Sequence, residues 1–208
     1  MIQIPNSAAM SESRRTFLKC SWKVMLAIAV GGISLAATKI LAQPAKGKSG
    51  RKALVLYHSR TGNTRALARQ IHEAVGGDLV EIQTVQPYPD DYDALVAQNA
   101  EEQRINYMPP LRTTIENIQG YDVIFIGSPI WNVRLTPPVR SFLSSHDLSG
   151  KIIAPFVTYE VSGLGRSRRD IEELCPETKI LDGLAVLDEG AREAKPAVSD
   201  WLTRIGLQ

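Results

Sequence analysis

Cysteine, histidine and aromatic residues are all scarce in this chain of 208 residues: two Cys, three His, and only 6% Phe, Trp and Tyr. Cys20 and Cys175 cannot make a disulfide framework, and neither stands at a zinc-binding spacing from His or from the other Cys. An excess of one charge sign is missing too. The formal net charge is +2, and the first 42 residues hold five basic side chains (Arg14, Arg15, Lys19, Lys23, Lys39) against the single acid Glu12, so the remainder is slightly acidic. A near-neutral body without a basic stripe is poor material for a nucleic-acid binder, which needs several Lys or Arg to displace counterions, so no nucleic-acid partner is expected. With 44% hydrophobic and 22% charged residues, the composition also excludes a disordered chain, a collagen-like repeat and a polytopic membrane protein.

What is present begins with an address. Ser13-Arg14-Arg15-Thr16-Phe17-Leu18-Lys19 precedes an uncharged run, Val24 to Ala37, of 14 residues. At 1.5 Å per residue that run reaches roughly 21 Å, short of the ~30 Å hydrocarbon core, so it reads as the apolar region of a signal rather than a spanning helix. The paired arginines resemble the twin-arginine export signal, which implies that the protein crosses a bacterial inner membrane already folded, into the periplasm. Cleavage is expected after Ala42; an uncleaved signal would instead anchor the protein, its only contact with the membrane. Residues 1–42 are therefore assigned to the signal and 43–52, rich in Pro, Gly, Ser and Lys, to a linker.

From residue 53 to 208, apolar runs alternate with stretches of helical period, the pattern of an α/β domain with a parallel sheet covered on both faces. Five strands are predicted at Ala53–Tyr57, Asp78–Ile82, Val123–Ile126, Ile152–Val157 and Gly183–Leu187. The first and third are apolar nearly throughout and belong at the centre, whereas the second alternates and belongs near an edge. Helices are predicted at Thr64–Val75, Asp90–Gln103, Pro138–Ser144, Arg166–Leu174 and Ala191–Ile205, with Pro196 bending or restarting the last.

Open parallel sheets bind ligands beyond the carboxyl ends of their strands, which singles out three loops. After the first strand, Ser59, Thr61, Gly62, Asn63 and Thr64 bring hydroxyls, a glycine and the free N–H groups of a helix start to one point. The loop lacks the Lys of a nucleoside-triphosphate site and the repeated glycines of a dinucleotide fingerprint, so a single phosphate group suits it; the alternative is a hydroxyl-rich turn that only caps a helix. After the third strand, Ser128, Pro129, Ile130, Trp131 and Asn132 set a large ring at the crevice rim, either to stack on a flat heterocycle or to cover the sheet end. After the fourth, Thr158, Tyr159, Glu160, Ser162, Gly163 and Gly165 suit a ligand's polar edge or form a plain connection.

Together the segments YHSRTGNTRALA, YDVIFIGSPIW and PPVRSFLSSHDLSGKIIAPFVT resemble the flavodoxin-like flavoproteins, in their short-chain branch. The resemblance runs from Ala53 to Leu187. It implies a three-layer, doubly wound fold with five parallel strands in the order 2-1-3-4-5, and a noncovalently held FMN. By that analogy Ser59 to Thr64 hold the ribityl phosphate, Ser128 to Asn132 line the isoalloxazine and Thr158 to Gly165 close over its pyrimidine side. The chain departs from its relatives in carrying Tyr159-Glu160-Val161 where glycines are common, in Asn132-Val133-Arg134 after the Trp, and in lacking an acidic surround. Arg134, Arg166, Arg168 and Arg169 are either a solvated face or a surface for an anionic partner. The expected function is electron exchange with a redox partner protein or a small electron acceptor. Its rivals are an NAD(P)H-dependent quinone or nitro-compound reductase and a cofactor-free interaction domain. Cys175, beside Pro176 at a helix end, reads as a half-buried, inert residue.

Overall fold

The structure is a computed structural model that describes residues 39–40 and 50–208. The sequence motif assigned to the export signal and linker residues 43–49 lie outside the described residues.

The five strands are β1 (Ala53–Tyr57), β2 (Asp78–Glu81), β3 (Val123–Trp131), β4 (Ile152–Tyr159) and β5 (Leu184–Leu187). All pair in parallel in the order β2-β1-β3-β4-β5, the order the family resemblance implies. The helices are α1 (Asn63–Val75), α2 (Tyr92–Arg104), α3 (Pro137–Ser145), α4 (Ser167–Leu174) and α5 (Lys195–Arg204). Short rungs complete the sheet: Arg134–Leu135 folds back on the end of β3, and Lys179–Ile180 pairs with the start of β4. A separate rung joins Lys39–Ile40 to Thr114–Ile115.

Alternation along β1 divides the core. Ala53, Val55 and Tyr57 face α1 and α5 with Phe125, Phe156 and Trp201, while Leu54 and Leu56 face the other layer with Ile124, Ile126, Phe142 and Ile171. Both faces are therefore dry, which is why the strand is apolar at every position. Trp201 is fully buried and its indole N–H donates to the Asp182 carbonyl at 2.8 Å, so its one polar atom is satisfied.

The fifth strand is interrupted for a local reason. Ile153 and Phe156 of β4 pair with Ile180 and Leu184, so residues 181–183 hold one residue more than the two of β4 opposite them. The Ile153 carbonyl accepts from Leu181 N–H, so Ile153 and, two residues on, Pro155 turn their backbone groups toward the fifth strand. Pro155 has no N–H to offer there, and a bulge absorbs the missing rung. At the C-terminus, Pro196 lies in the first turn of α5 and starts the helix instead of bending it; the stretch before it, Asp188–Glu193, is a 3₁₀ segment.

Candidate functional site

The first loop leaves β1 through His58, whose N–H donates to the Gly127 carbonyl of β3 at 3.0 Å. The chain then turns at Gly62, with φ of 93°, and enters α1 with Gly62 as the N-cap. A glycine cap has no side chain to satisfy the first amides of the helix, and the first turn carries no acid. Ser59 Oγ accepts from Gly62 N–H at 3.2 Å and pins the turn. Thr64 is buried, with its hydroxyl 2.8 Å from that of Thr158, near the end of β4 and just before the third loop. Arg60 and Arg65 are both turned to other partners: Arg60 donates to the Asp90 carbonyl at 2.6 Å, and Arg65 pairs with Glu81 at 2.7 Å. The cradle is thus made of amides and hydroxyls without a basic side chain, a donor set that fits a phosphate monoester.

The second loop is wired to the first. Ser128 is fully buried; its hydroxyl donates to the Pro129 carbonyl at 2.7 Å and accepts from Thr136 N–H at 3.1 Å. Thr136 Oγ1 lies 3.2 Å from Ser128 Oγ and 3.2 Å from His58 Nδ1. Beyond Ser128, Pro129 and Ile130 carry the chain to Trp131, which pairs with Arg134 across the two-residue turn Asn132–Val133. Both turn residues have positive φ, 47° and 67°, as a tight hairpin of the right twist demands. For a β-branched Val this is strained backbone, of order 1–3 kcal/mol. Gln103 of α2 holds the turn in place: its amide donates to the Trp131 carbonyl at 2.8 Å and accepts from Asn132 at 3.3 Å.

Trp131 meets two rings edge-on, His58 at 5.5 Å and Tyr88 at 5.3 Å between centroids. Tyr88 donates to Glu102 at 2.6 Å; burial, followed by that carboxylate, pushes the phenol well above its usual range. Burial also lowers His58, to about 4, so the imidazole is neutral at pH 7. The rings packed against Trp131 are His58 and Tyr88, while Tyr159 stands half-buried at the end of β4.

The third loop is mostly in solvent. Glu160, Val161 and Ser162 are exposed, Val161 by 88%. Gly163 and Gly165 have φ of 56° and 52°. A Cβ on Gly165 would lie 2.4 Å from the Val133 carbonyl oxygen, which also accepts from Arg166 N–H at 2.7 Å. Only a residue without a side chain lets this loop dock on the Trp131 hairpin.

The arginines of the rim are spoken for. Arg134 makes two hydrogen bonds to Oδ1 of the fully buried Asp170, at 3.0 and 2.7 Å, and Asp170 Oδ2 accepts from Leu135 N–H at 3.1 Å. Arg168 pairs with Glu172, while Arg166 and Arg169 share Glu173. Each of the four therefore has an acidic partner within the chain. Cys175 is buried rather than half-buried, and burial pushes its thiol up to about 11, so it carries no reactive thiolate.

The sequence-predicted residues of all three loops therefore meet at one end of the sheet. His58, Tyr88, Gln103, Thr136 and Asp170, which complete or brace the site, were not predicted. His58 alone had a signal, its place directly before the phosphate-loop motif.

Comparison with known proteins agrees with this geometry. The family model described as Flavodoxin matches residues 52–205. The chain is 32% identical to a candidate flavoprotein from Bacteroides eggerthii DSM 20697, whose crystal structure it matches with a TM-score of 0.68 over 76% of this chain and 99% of the other. A flavoprotein in complex with FMN from Lactobacillus acidophilus NCFM shares the fold at 21% identity and a TM-score of 0.58, over 73% of this chain and 98% of the other. A curated relative, NAD(P)H dehydrogenase (quinone) of Cupriavidus metallidurans, is 32% identical over 94 residues, 44% of this chain and 45% of that protein, so the match spans less than half of its length. The chain belongs to the flavodoxin family, whose cofactor is FMN, and its first loop has the donors that an FMN phosphate needs.

Proposed function

We propose that this chain is an exported FMN protein of the periplasm that exchanges electrons with a redox partner protein or a small electron acceptor. The observation that carries the reading is the uncapped, uncharged cradle at Ser59 to Thr64, linked to the end of β4 through Thr64 and Thr158 and to the second loop through His58, Thr136 and Ser128. Bound FMN would supply the electron-transfer chemistry. The chain's own residues bind and orient. Ser59, Thr61, Gly62, Asn63 and Thr64 hold the phosphate end with amides and hydroxyls. Trp131 offers an aromatic surface to the ring system, and Gln103, His58 and Tyr88 fix its position. Tyr159 to Gly165 would cover the pyrimidine side, with the exposed Glu160 setting the local charge.

Export rests on the residues from Ser13 to Lys19 and on a physical fit between route and cofactor. A noncovalent cofactor made in the cytoplasm is lost when a chain is threaded unfolded, and a folded-protein route keeps it in place.

A second reading, an NAD(P)H-dependent quinone reductase, draws support from the partial match to the Cupriavidus enzyme. Against it, the arginines that would clamp the phosphates of a nicotinamide nucleotide are held by Asp170, Glu172 and Glu173. Protein purified from an export-competent host with its signal intact should be yellow, should bleach with dithionite and should oxidise almost no NADPH in the presence of a quinone. Rapid NADPH oxidation would favour the reductase, and colourless protein that takes up no added FMN would favour a cofactor-free domain.

A further inference from the structure

The residues packed around Trp131 hold a chemistry that the phosphate cradle does not use. The indole meets the Tyr88 phenol edge-on, with centroids 5.3 Å apart and planes at 77°, and both rings are half-buried. Tyr88 in turn donates to Glu102 Oε2 at 2.6 Å, while Gln98 donates to Oε1 at 2.8 Å. Glu102 is 7% exposed, so a buried carboxylate with both oxygens accepting lies against the phenol. The third ring, His58, stands 5.5 Å from Trp131 and 6.2 Å from Tyr88, and is bonded to the Thr136 hydroxyl. Among the described residues, the charged group bonded to this cluster is Glu102.

Indole and phenol are the aromatic side chains that give up one electron most readily, and they differ in the fate of a proton. A phenol that loses an electron loses its O–H proton too, because the phenol radical cation is a very strong acid. Burial, followed by Glu102, pushes the Tyr88 phenol well above its usual range, so the proton stays until an electron leaves. Glu102 is then within hydrogen-bond reach to receive it, with no intervening water. The pairing of ring and base sets this tyrosine apart. Tyr121 also donates to a carboxylate, Asp78 at 2.8 Å, but has no ring partner among the described residues.

We propose that Trp131, Tyr88 and Glu102 form a proton-coupled relay that draws an oxidising equivalent away from the rim of the crevice to α2. A one-electron oxidant takes an electron from Trp131. Tyr88 then gives an electron to the indole radical cation as its O–H bond breaks, and the proton bonds to Glu102 Oε2. The oxidant is reduced by one electron, Trp131 ends as it began, and the products are a neutral phenoxyl radical and a protonated Glu102. The indole at the rim is thereby spared irreversible oxidation. The source of the oxidising equivalent rests on the FMN reading above, since light-excited flavins oxidise indole; the relay itself belongs to the chain alone.

Pulse radiolysis tests the relay on the full chain without flavin. Azidyl radical, a one-electron oxidant that prefers indole, should produce an indolyl signal that gives way to a phenoxyl signal in a first-order step, slower in D2O than in H2O. Independence from protein concentration marks transfer within one molecule. Y88F and W131F should both lose this step, although Trp22 and Trp201 remain, and Y121F should keep it. E102Q keeps a hydrogen-bond acceptor but no proton acceptor, and should slow the step about a hundredfold, the low end of what a positioned base supplies. An unchanged step in Y88F, an equal rate in E102Q, or no first-order phenoxyl growth in wild type would overturn the proposal and leave the FMN reading standing. The wild-type comparison needs no substitution: equal rates in H2O and D2O would overturn it too. If the step appears but the protein takes up no added FMN, the FMN reading fails, and with it the source of the oxidising equivalent, while the relay stands.

Discussion

The first and third loops stand at the same end of the sheet and are built in opposite ways. The first is pinned: Ser59 holds Gly62, the buried Thr64 reaches Thr158, and the arginines are directed elsewhere. The third leaves Glu160, Val161 and Ser162 in solvent and touches the body where Gly165 and Arg166 meet Val133. The contrast assigns the work. A preorganised anion cradle supplies affinity, because its groups lose little freedom on binding, whereas an open loop adjusts the charge and access of whatever lies beneath it.

Substitutions can break that division in order of size. The largest effect is expected at the brace beneath the second and third loops. Asp170→Asn removes the charge partner of Arg134 inside a buried network, and the melting temperature should fall by the equivalent of about 3–5 kcal/mol; a shift within a degree of wild type would mean the pair is not structural. Acid comes next. The fold depresses His58 below its unfolded value of about 6.5, to about 4, by favouring the neutral form. Its contribution in FMN-free protein is complete above pH 6.5 and is lost as pH falls toward 4, roughly 3 kcal/mol at most. Denaturant melts of wild type and H58Q across that window should diverge in slope with pH.

Smaller effects separate the two loops themselves. Thr64→Val removes the hydroxyl that Thr158 meets, and should weaken FMN about tenfold, the size of a charge-assisted hydrogen bond, while leaving riboflavin nearly unaffected. Equal losses for both flavins would place Thr64 outside the phosphate contact. Glu160→Gln should have the smallest effect. An exposed carboxylate disfavours a negatively charged reduced flavin only weakly through solvent, so the midpoint potential should rise by a few tens of millivolts at most and lose the difference in high salt. An unchanged potential at low salt would remove Glu160 from the ring's surroundings.

Much of this architecture was legible because local chemistry and tertiary context agree. The sequence reading of β1 matches to the residue, since a strand covered on both faces leaves no polar position to blur its ends. The third strand was read five residues short: Gly127, Ser128 and Pro129 look like loop, yet they keep their register with β4 up to Thr158, and the strand runs on to Trp131. The turn from Ser59 to Thr64 was legible as a motif because its hydroxyls and amides are consecutive. The surroundings of Trp131 were not. Tyr88 and Gln103 come from other elements, and nothing in their local spacing announces that they converge on residue 131. The strained Val133 turn is likewise set by the docking of Gly165 and the grip of Gln103, against the local preference of valine.

The most direct test compares the affinities of the purified protein for FMN and for riboflavin, by quenching of flavin fluorescence at pH 7. If the loop from Ser59 to Thr64 grips the phosphate, FMN should bind at least about a hundredfold more tightly, as several charge-assisted hydrogen bonds require. Equal affinity for the two would contradict the account, because the cradle would then be holding nothing.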